Sequence, residues 1–233
     1  MDINCDLGEG TGNDEKIMPF ITSCNIACGG HAGDEASIAE TIRLAKKYNV
    51  KIGAHPSFPD KVNFGRIPVK MPEKEFKKEL IRQILLIREI ADKEGAELHH
   101  LKPHGALYNL AVYDNKTAKT LIELMRESAK GLRLYLPYNS LIEALSQQYK
   151  IPYFYEVFAD RAYRENLSLV SRKEHGALIE DPQVIYQRVK KMITEEKVMT
   201  ITGKEVRIKA DTVCIHGDNP NAVEIAKLLN SLI

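Results

Sequence analysis

Seven histidines occur among 233 residues, and five of them (His31, His55, His100, His104 and His216) stand where strand-like runs end. Asn4, Asp6, Asn25, Lys102, Asp160 and Arg161 stand at the ends of such runs as well. Imidazoles beside carboxylates move protons near neutral pH, and the same two groups ligate divalent metals. Ammonium and guanidinium groups hold carboxylates or phosphates. Taken singly, each residue has a bland role: an Asp among turn glycines, such as Asp6, usually serves the turn. By default Asp34 caps a helix, Arg66 and Arg172 are solvated, and Tyr108 and Tyr163 pack. The group carries more weight than its members because chain topology brings them to one place.

Two local patterns sharpen the chemistry. In an extended segment His100, Lys102 and His104 share one face, and an ammonium between two buried imidazoles requires an anion nearby. Gly8, Gly10 and Gly12, with the pair Gly29-Gly30, let backbone N–H groups approach a ligand. They do not make a phosphate loop: no G-x-x-x-x-G-K-[ST] run is present, and Gly203-Lys204 is followed by Glu205.

The elements that must position these residues alternate along the chain. Strands are expected at 2–6, 24–28, 51–54, 97–102, 133–136, 153–158 and 211–215. Helices follow Asp34, Pro72, Asn115 as a cap, Asn139, Asp181-Pro182 and Asn219-Pro220. Phe76, Leu80, Ile84, Ile87 and Ala91 form an apolar stripe at helical spacing. Residues 198–208 alternate around Thr202-Gly203-Lys204 and read as a hairpin inserted on the scaffold. Seven β-then-α units with no composition break predict one α/β domain over 1–233 with a mostly parallel sheet, as a barrel or a doubly wound sheet. In both, the polar strand ends converge on the carboxyl side.

Composition narrows the function classes. With 33 basic and 32 acidic residues interspersed, no electrostatic footprint for nucleic acid exists. No apolar run reaches membrane-spanning length and no signal sequence opens the chain, so a cytoplasmic protein is expected. Cys5, Cys24, Cys28 and Cys214 form no Cys-x-x-Cys pair and are expected as buried free thiols.

The run Asn4-Cys5-Asp6-Leu7-Gly8-Glu9-Gly10 resembles the opening motif of the LamB/YcsF family. So do the runs from Ser23 to Asp34, Gly53 to Pro56, Lys102 to Asn109, Asp160 to Tyr163 and Cys214 to Asp218 resemble its later motifs, in order across nearly the whole chain. Departures occur at Gly30, where many relatives carry Phe, at Ile67 after Arg66, and near Asn166. The resemblance implies a seven-stranded (β/α) barrel like that of polysaccharide deacetylases. It also implies the work of an A subunit: with B and C subunits, opening the lactam of 5-oxoproline to glutamate at the expense of ATP. ATP with Mg is then a cosubstrate, and no tightly bound cofactor is expected. On that reading Asp6, His55, Lys102 and His104 act at the reacting bonds, with Lys102 and Arg161 holding anionic groups. Asn4, Asn25, His31, Arg66, Asp160, Arg161 and His216 contact substrate. Two rivals use the same barrel: a metal-dependent deacetylase with Asp6, His55 and His104 on the metal, and a scaffold subunit that only binds partners.

Overall fold

The first strand shows how this chain builds its barrel. Asp2, Asn4 and Asp6 alternate with Ile3, Cys5 and Leu7, and all six are buried. The apolar set joins the continuous core under the helices, while the polar set hydrogen-bonds across the barrel interior. A polar residue at every second position of a fully buried strand is therefore the imprint of a polar barrel lumen.

The computed structural model describes residues 1–232. The strands are β1 (Asp2–Leu7), β2 (Ser23–Ala27), β3 (Lys51–His55), β4 (Leu98–Leu101), β5 (Arg133–Leu136), β6 (Tyr153–Phe158), β7 (Lys197–Met199), β8 (Glu205–Arg207) and β9 (Thr212–His216). The helices are α1 (Asp14–Ile17), α2 (Glu35–Lys47), α3 (Glu73–Lys93), α4 (Gly105–Ala111), α5 (Asn115–Glu127), α6 (Leu141–Gln148), α7 (Pro182–Glu195) and α8 (Ala222–Asn230). Seven strands close a parallel barrel in the order β1-β2-β3-β4-β5-β6-β9. Closure runs through β9, which pairs with β1 on one side and β6 on the other. The antiparallel pair β7-β8 is the expected hairpin and stands outside the barrel sheet, between α7 and β9 in the chain.

Helix starts follow capping chemistry. Asp34 and Ser37 form a reciprocal capping box on α2, and Asp181 caps α7 with Pro182 in its first turn. The cap of α5 is Asp114 rather than Asn115: its carboxylate accepts from the Thr117 N–H, and Asn115 is already helical. The last helix starts at Ala222, later than Asn219-Pro220 suggested, because Asn219 turns inward to bond Asp160 and the Ile179 carbonyl. β4 ends at Leu101, but the Lys102 and His104 N–H groups still bond the Ala54 and Pro56 carbonyls, so both residues keep the inward direction of His100. The short helices α1 and α4 lack the periodicity that would reveal them from sequence. All four cysteines are buried free thiols. Among the described residues no helix is long and apolar enough to cross a membrane.

Candidate active site

The barrel interior is stacked in polar layers, and the site is the uppermost. At the bottom, Asp2 accepts hydrogen bonds from Ser23, Thr212, Thr22 and Tyr135. Above it, Asn4 donates to Thr212 and Glu156 and accepts from Asn25. The Asn25 amide also donates to Asp6, while its carbonyl accepts from His100 Nε2 at 2.7 Å. His100 stacks on Tyr135 with 4.0 Å between ring centroids, and burial keeps it neutral. It fits only because residue 53 is glycine: a Cβ there would stand 2.1 Å from His100 Nε2.

Asn4 and Asn25 thus belong to the layer beneath the cleft. Both are fully buried, neither lines the cleft, and their polar atoms are consumed inside the barrel. The expectation that they touch substrate is corrected accordingly.

Lys102 occupies the next layer. Its Nζ lies 2.8 Å from Asp6 Oδ1, 2.9 Å from Glu156 Oε1 and 3.0 Å from Cys214 Sγ. Burial alone would neutralise the ammonium, but Asp6, Cys214 and Glu156 hold its pKa well above the ordinary lysine value. Burial likewise pushes Asp6 up, and His55 with Lys102 outweighs it, holding the carboxyl well below its usual range. The anion that the sequence pattern demands beside Lys102 is therefore supplied by the protein. This corrects the expectation that Lys102 is free to hold a ligand anion.

Above this layer three imidazoles meet one carboxylate. His55 Nε2 and His104 Nδ1 are 2.9 Å apart, and the His31 and His104 rings stack at 3.6 Å. Glu9 Oε1 lies 2.7 Å from His31 Nε2 and 3.4 Å from His104 Nδ1. Burial and the nearby Asp6 charge raise the Glu9 carboxyl to about 7, and burial with the His55 charge lowers His31 to about 2. The His31–Glu9 contact is therefore a hydrogen bond from a neutral ring at pH 7. Burial and the neighbouring His31 and His55 hold His104 well below its ordinary value too. The loop before α3 closes over this cluster. Phe64 adopts φ 55°, an uncommon left-handed conformation for a bulky residue, and its carbonyl accepts from His104 Nε2 at 2.9 Å.

The cleft over these groups has a volume of about 720 Å³. Asp6, Glu9, His55, Lys102 and His104 line one side, and Arg161, Arg172, His216 and Asp218 the other. His216 Nδ1 donates to Asp160 Oδ1 at 2.7 Å, which leaves Nε2 as the free ring nitrogen. Asp160 is itself held by the His216 N–H and the Asn219 amide. Arg161 is buried, donates to the Val170 carbonyl at 2.7 Å and keeps an unpartnered Nε. Burial and the adjacent Arg172 pull its pKa down to about 10, so it remains cationic at neutral pH. Arg66 and Arg172 are not simply solvated: both guanidinium groups reach Asp218 Oδ2 at 2.9 Å, joining two loops across the cleft rim.

Apart from the two amides and His100 in the layer below, the charged and imidazole groups expected from sequence gather at the carboxyl end of the barrel. His31 and Asp160 stand there behind the cleft wall. The profile of the LamB/YcsF family matches residues 1–233. The chain belongs to the LamB/YcsF family. Two relatives carry the name of the A subunit of 5-oxoprolinase. That of Pyrococcus abyssi is 42% identical over 100% of this chain and 93% of its own length. That of Campylobacter jejuni (serotype O:23/36) is 43% identical over 97% of this chain and 91% of its own. The crystal structure of a lactam utilization protein from Thermus thermophilus superposes with a TM-score of 0.91 at 37% identity, covering 99% of this chain and 94% of that one.

Three members of the site were not singled out from sequence. Glu9 stands inside the first LamB/YcsF run, between two glycines whose positive φ angles turn its side chain back over the barrel mouth. Asp218 closes the last LamB/YcsF run and reads as a turn residue. Glu156 lies outside every LamB/YcsF run; its one signal is a carboxylate in the apolar strand Tyr153–Phe158. The LamB/YcsF departure at Gly30 has a local reason, since a Cβ there would stand 2.3 Å from Ser57 Oγ and 2.6 Å from Gln83 Oε1.

Proposed function

We propose that this chain is the A subunit of an ATP-dependent 5-oxoprolinase, working with B and C subunits to open the lactam of 5-oxo-L-proline to L-glutamate. The observation that carries the reading is the full-length kinship with chains that bear the name of that A subunit. The cleft is chemically suited to it. Arg161 offers a desolvated cation to the substrate carboxylate. His216, oriented by Asp160, offers Nε2 as a general base.

An unstrained five-membered lactam resists water because amide resonance protects its carbonyl carbon. Transfer of the terminal phosphoryl group of ATP to the amide oxygen, releasing ADP, converts it to a phosphorylated imidate. Water then adds to the carbon as His216 takes its proton. The C–N bond of this adduct opens, the nitrogen gains a proton to become the amine of glutamate, and the γ-acyl phosphate left behind is hydrolysed by a second water to the carboxylate and inorganic phosphate. His104 and His55 sit across the cleft as the proton-transfer groups on the nitrogen side. Asp6 and Lys102 act from below by fixing the position of His55. ATP, with Mg, is a cosubstrate of the assembled complex, in keeping with the cytoplasmic setting expected from sequence.

The test is glutamate and phosphate formation from 5-oxoproline and ATP, by this chain alone and after addition of B and C subunits. Coupled turnover is expected only from the assembled set. Absence of turnover in the full assembly, with relatives active under the same conditions, would refute the reading.

A further inference from the structure

The tautomers in the histidine cluster are dictated by its outer hydrogen bonds. His55 Nδ1 lies 2.7 Å from the Lys102 carbonyl, and His104 Nε2 lies 2.9 Å from the Phe64 carbonyl. A carbonyl only accepts, so both of these nitrogens carry hydrogen. The remaining nitrogens, His55 Nε2 and His104 Nδ1, then face each other 2.9 Å apart. When neither of these two nitrogens carries hydrogen, two lone pairs are aimed at one point in the cleft floor, and a cation between them satisfies both.

Glu9 completes the set. Its Oε1 stands 3.4 Å from His104 Nδ1 and 3.9 Å from His55 Nε2. Ligands about 2.0–2.1 Å from a tetrahedral ion are separated by roughly 3.3–3.4 Å, so small adjustments bring these three atoms to bonding distance. The supporting contacts are already built. Two backbone carbonyls orient the imidazoles, and the His31 Nε2–H, 2.7 Å from Glu9 Oε1, orients the carboxylate. Glu9, His55 and His104 all line the cleft, which leaves a fourth position open to it.

We propose that Glu9, His55 and His104 form a binding site for one divalent first-row metal ion, best suited to zinc, with His31 as a positioning residue and the fourth position facing the cleft. Two imidazoles and a carboxylate are a donor set for such an ion, and three protein ligands with one open position are the pattern of a reactive rather than a structural site. Asp6 faces the same nitrogen, with Oδ2 3.3 Å from His55 Nε2, but Lys102 and Asn25 hold its Oδ1 and it stands apart from His104, so it adds a neighbouring charge and Glu9 supplies the carboxylate ligand. The proposal rests on the 5-oxoprolinase reading and revises one role in it: with the ion bound, His55 and His104 serve as ligands instead of proton-transfer groups and the ion would hold a water at the cleft floor, yet zinc binding is measured without turnover. The two can therefore fail separately.

The experiment strips the full chain with chelator and titrates it with zinc by calorimetry, following cobalt(II) uptake by its visible absorption. One ion per chain is expected, with the absorption of a tetrahedral site. His55→Ala and His104→Ala should each weaken zinc binding by about 100-fold or more, and His31→Ala by about 10–100-fold. His175→Ala, at an exposed histidine, should change nothing. Thermal melting of the stripped variants checks that each is folded, and His104→Gln replaces any alanine variant that is not. No stoichiometric zinc uptake by the wild-type chain overturns the proposal, as does unchanged affinity in folded His55 and His104 variants. So do 15N spectra that show both ring nitrogens of His55 protonated in the presence of zinc, since a proton would then be the cation between the rings.

Discussion

Lys102 Nζ lies 2.8 Å from Asp6 Oδ1 in the buried floor of the cleft, and Glu156 Oε1 approaches the same ammonium to 2.9 Å. One ammonium thus compensates two buried carboxylates. Lys102→Met leaves Asp6 and Glu156 facing each other without a cation. The geometry predicts destabilisation of about 3–5 kcal/mol, as for a broken buried pair. Denaturant unfolding measures this. A loss within about 0.5 kcal/mol, the size of an ordinary surface substitution, would show that the lysine does not hold the layer together. Adding Glu156→Gln to Lys102→Met should recover part of the loss.

Gly53 faces the ring of His100 so closely that an added Cβ would lie 2.1 Å from Nε2 and 2.3 Å from Cδ2. The ring cannot retreat, because Tyr135 stacks on it and Asn25 binds its Nε2. Gly53→Ala should cost about 1–3 kcal/mol or more in unfolding free energy. Combining it with His100→Ala should relieve the overpacking, so that the two losses do not add. Strict additivity in that double-mutant cycle would contradict the contact.

Arg161 should act on substrate rather than on the fold. Arg161→Met is expected to lower kcat/KM for 5-oxoproline about 100-fold in the reconstituted complex, the size of a lost charge-assisted contact. Arg161→Lys should recover only part of this, because an ammonium cannot reproduce the planar fork. Normal kinetics in a folded Arg161→Met chain would remove the residue from the substrate site.

Asp160 makes a prediction about pH. Burial pushes its carboxyl up, but the His216 charge and hydrogen bonds from His216 and Asn219 win and hold it below the usual value. A carboxyl more acidic in the folded than in the unfolded chain stabilises the fold above its unfolded pKa. That stability is lost as pH falls through the folded value. Asp160→Asn should therefore flatten the fall in unfolding free energy below about pH 4. The same variant should lower turnover about 10²–10⁴-fold by releasing His216 from its tautomer. An acid-unfolding curve identical to wild type would refute the assigned shift.

Much of this molecule is legible along the chain. Strands β5 and β6 fall at the expected residues, and the other barrel strands differ by one position at one or both ends. Alternation, caps and apolar stripes are local properties, and they suffice to mark βα units and to place Asp6, His55, Lys102, His104 and His216 at their carboxyl ends. Barrel closure is not local, since it depends on β9 pairing with both β1 and β6. Depth is not local either. Asn4 and Asn25 carry the same side chain types that line clefts, yet they lie one layer too low, and two residues of strand rise separate a core amide from a substrate contact. Lys102 presents the reverse case, a cation whose partners Asp6 and Glu156 come from strands remote in sequence. Glu9 and Phe64 sit on loops whose left-handed turns have no periodic signal, and those turns aim a carboxylate and a carbonyl at the histidines. Residue type and spacing establish which groups reach the barrel mouth; register, depth and loop geometry establish which of them remain free to act, because each hydrogen bond formed inside the barrel removes a donor or acceptor from the cleft.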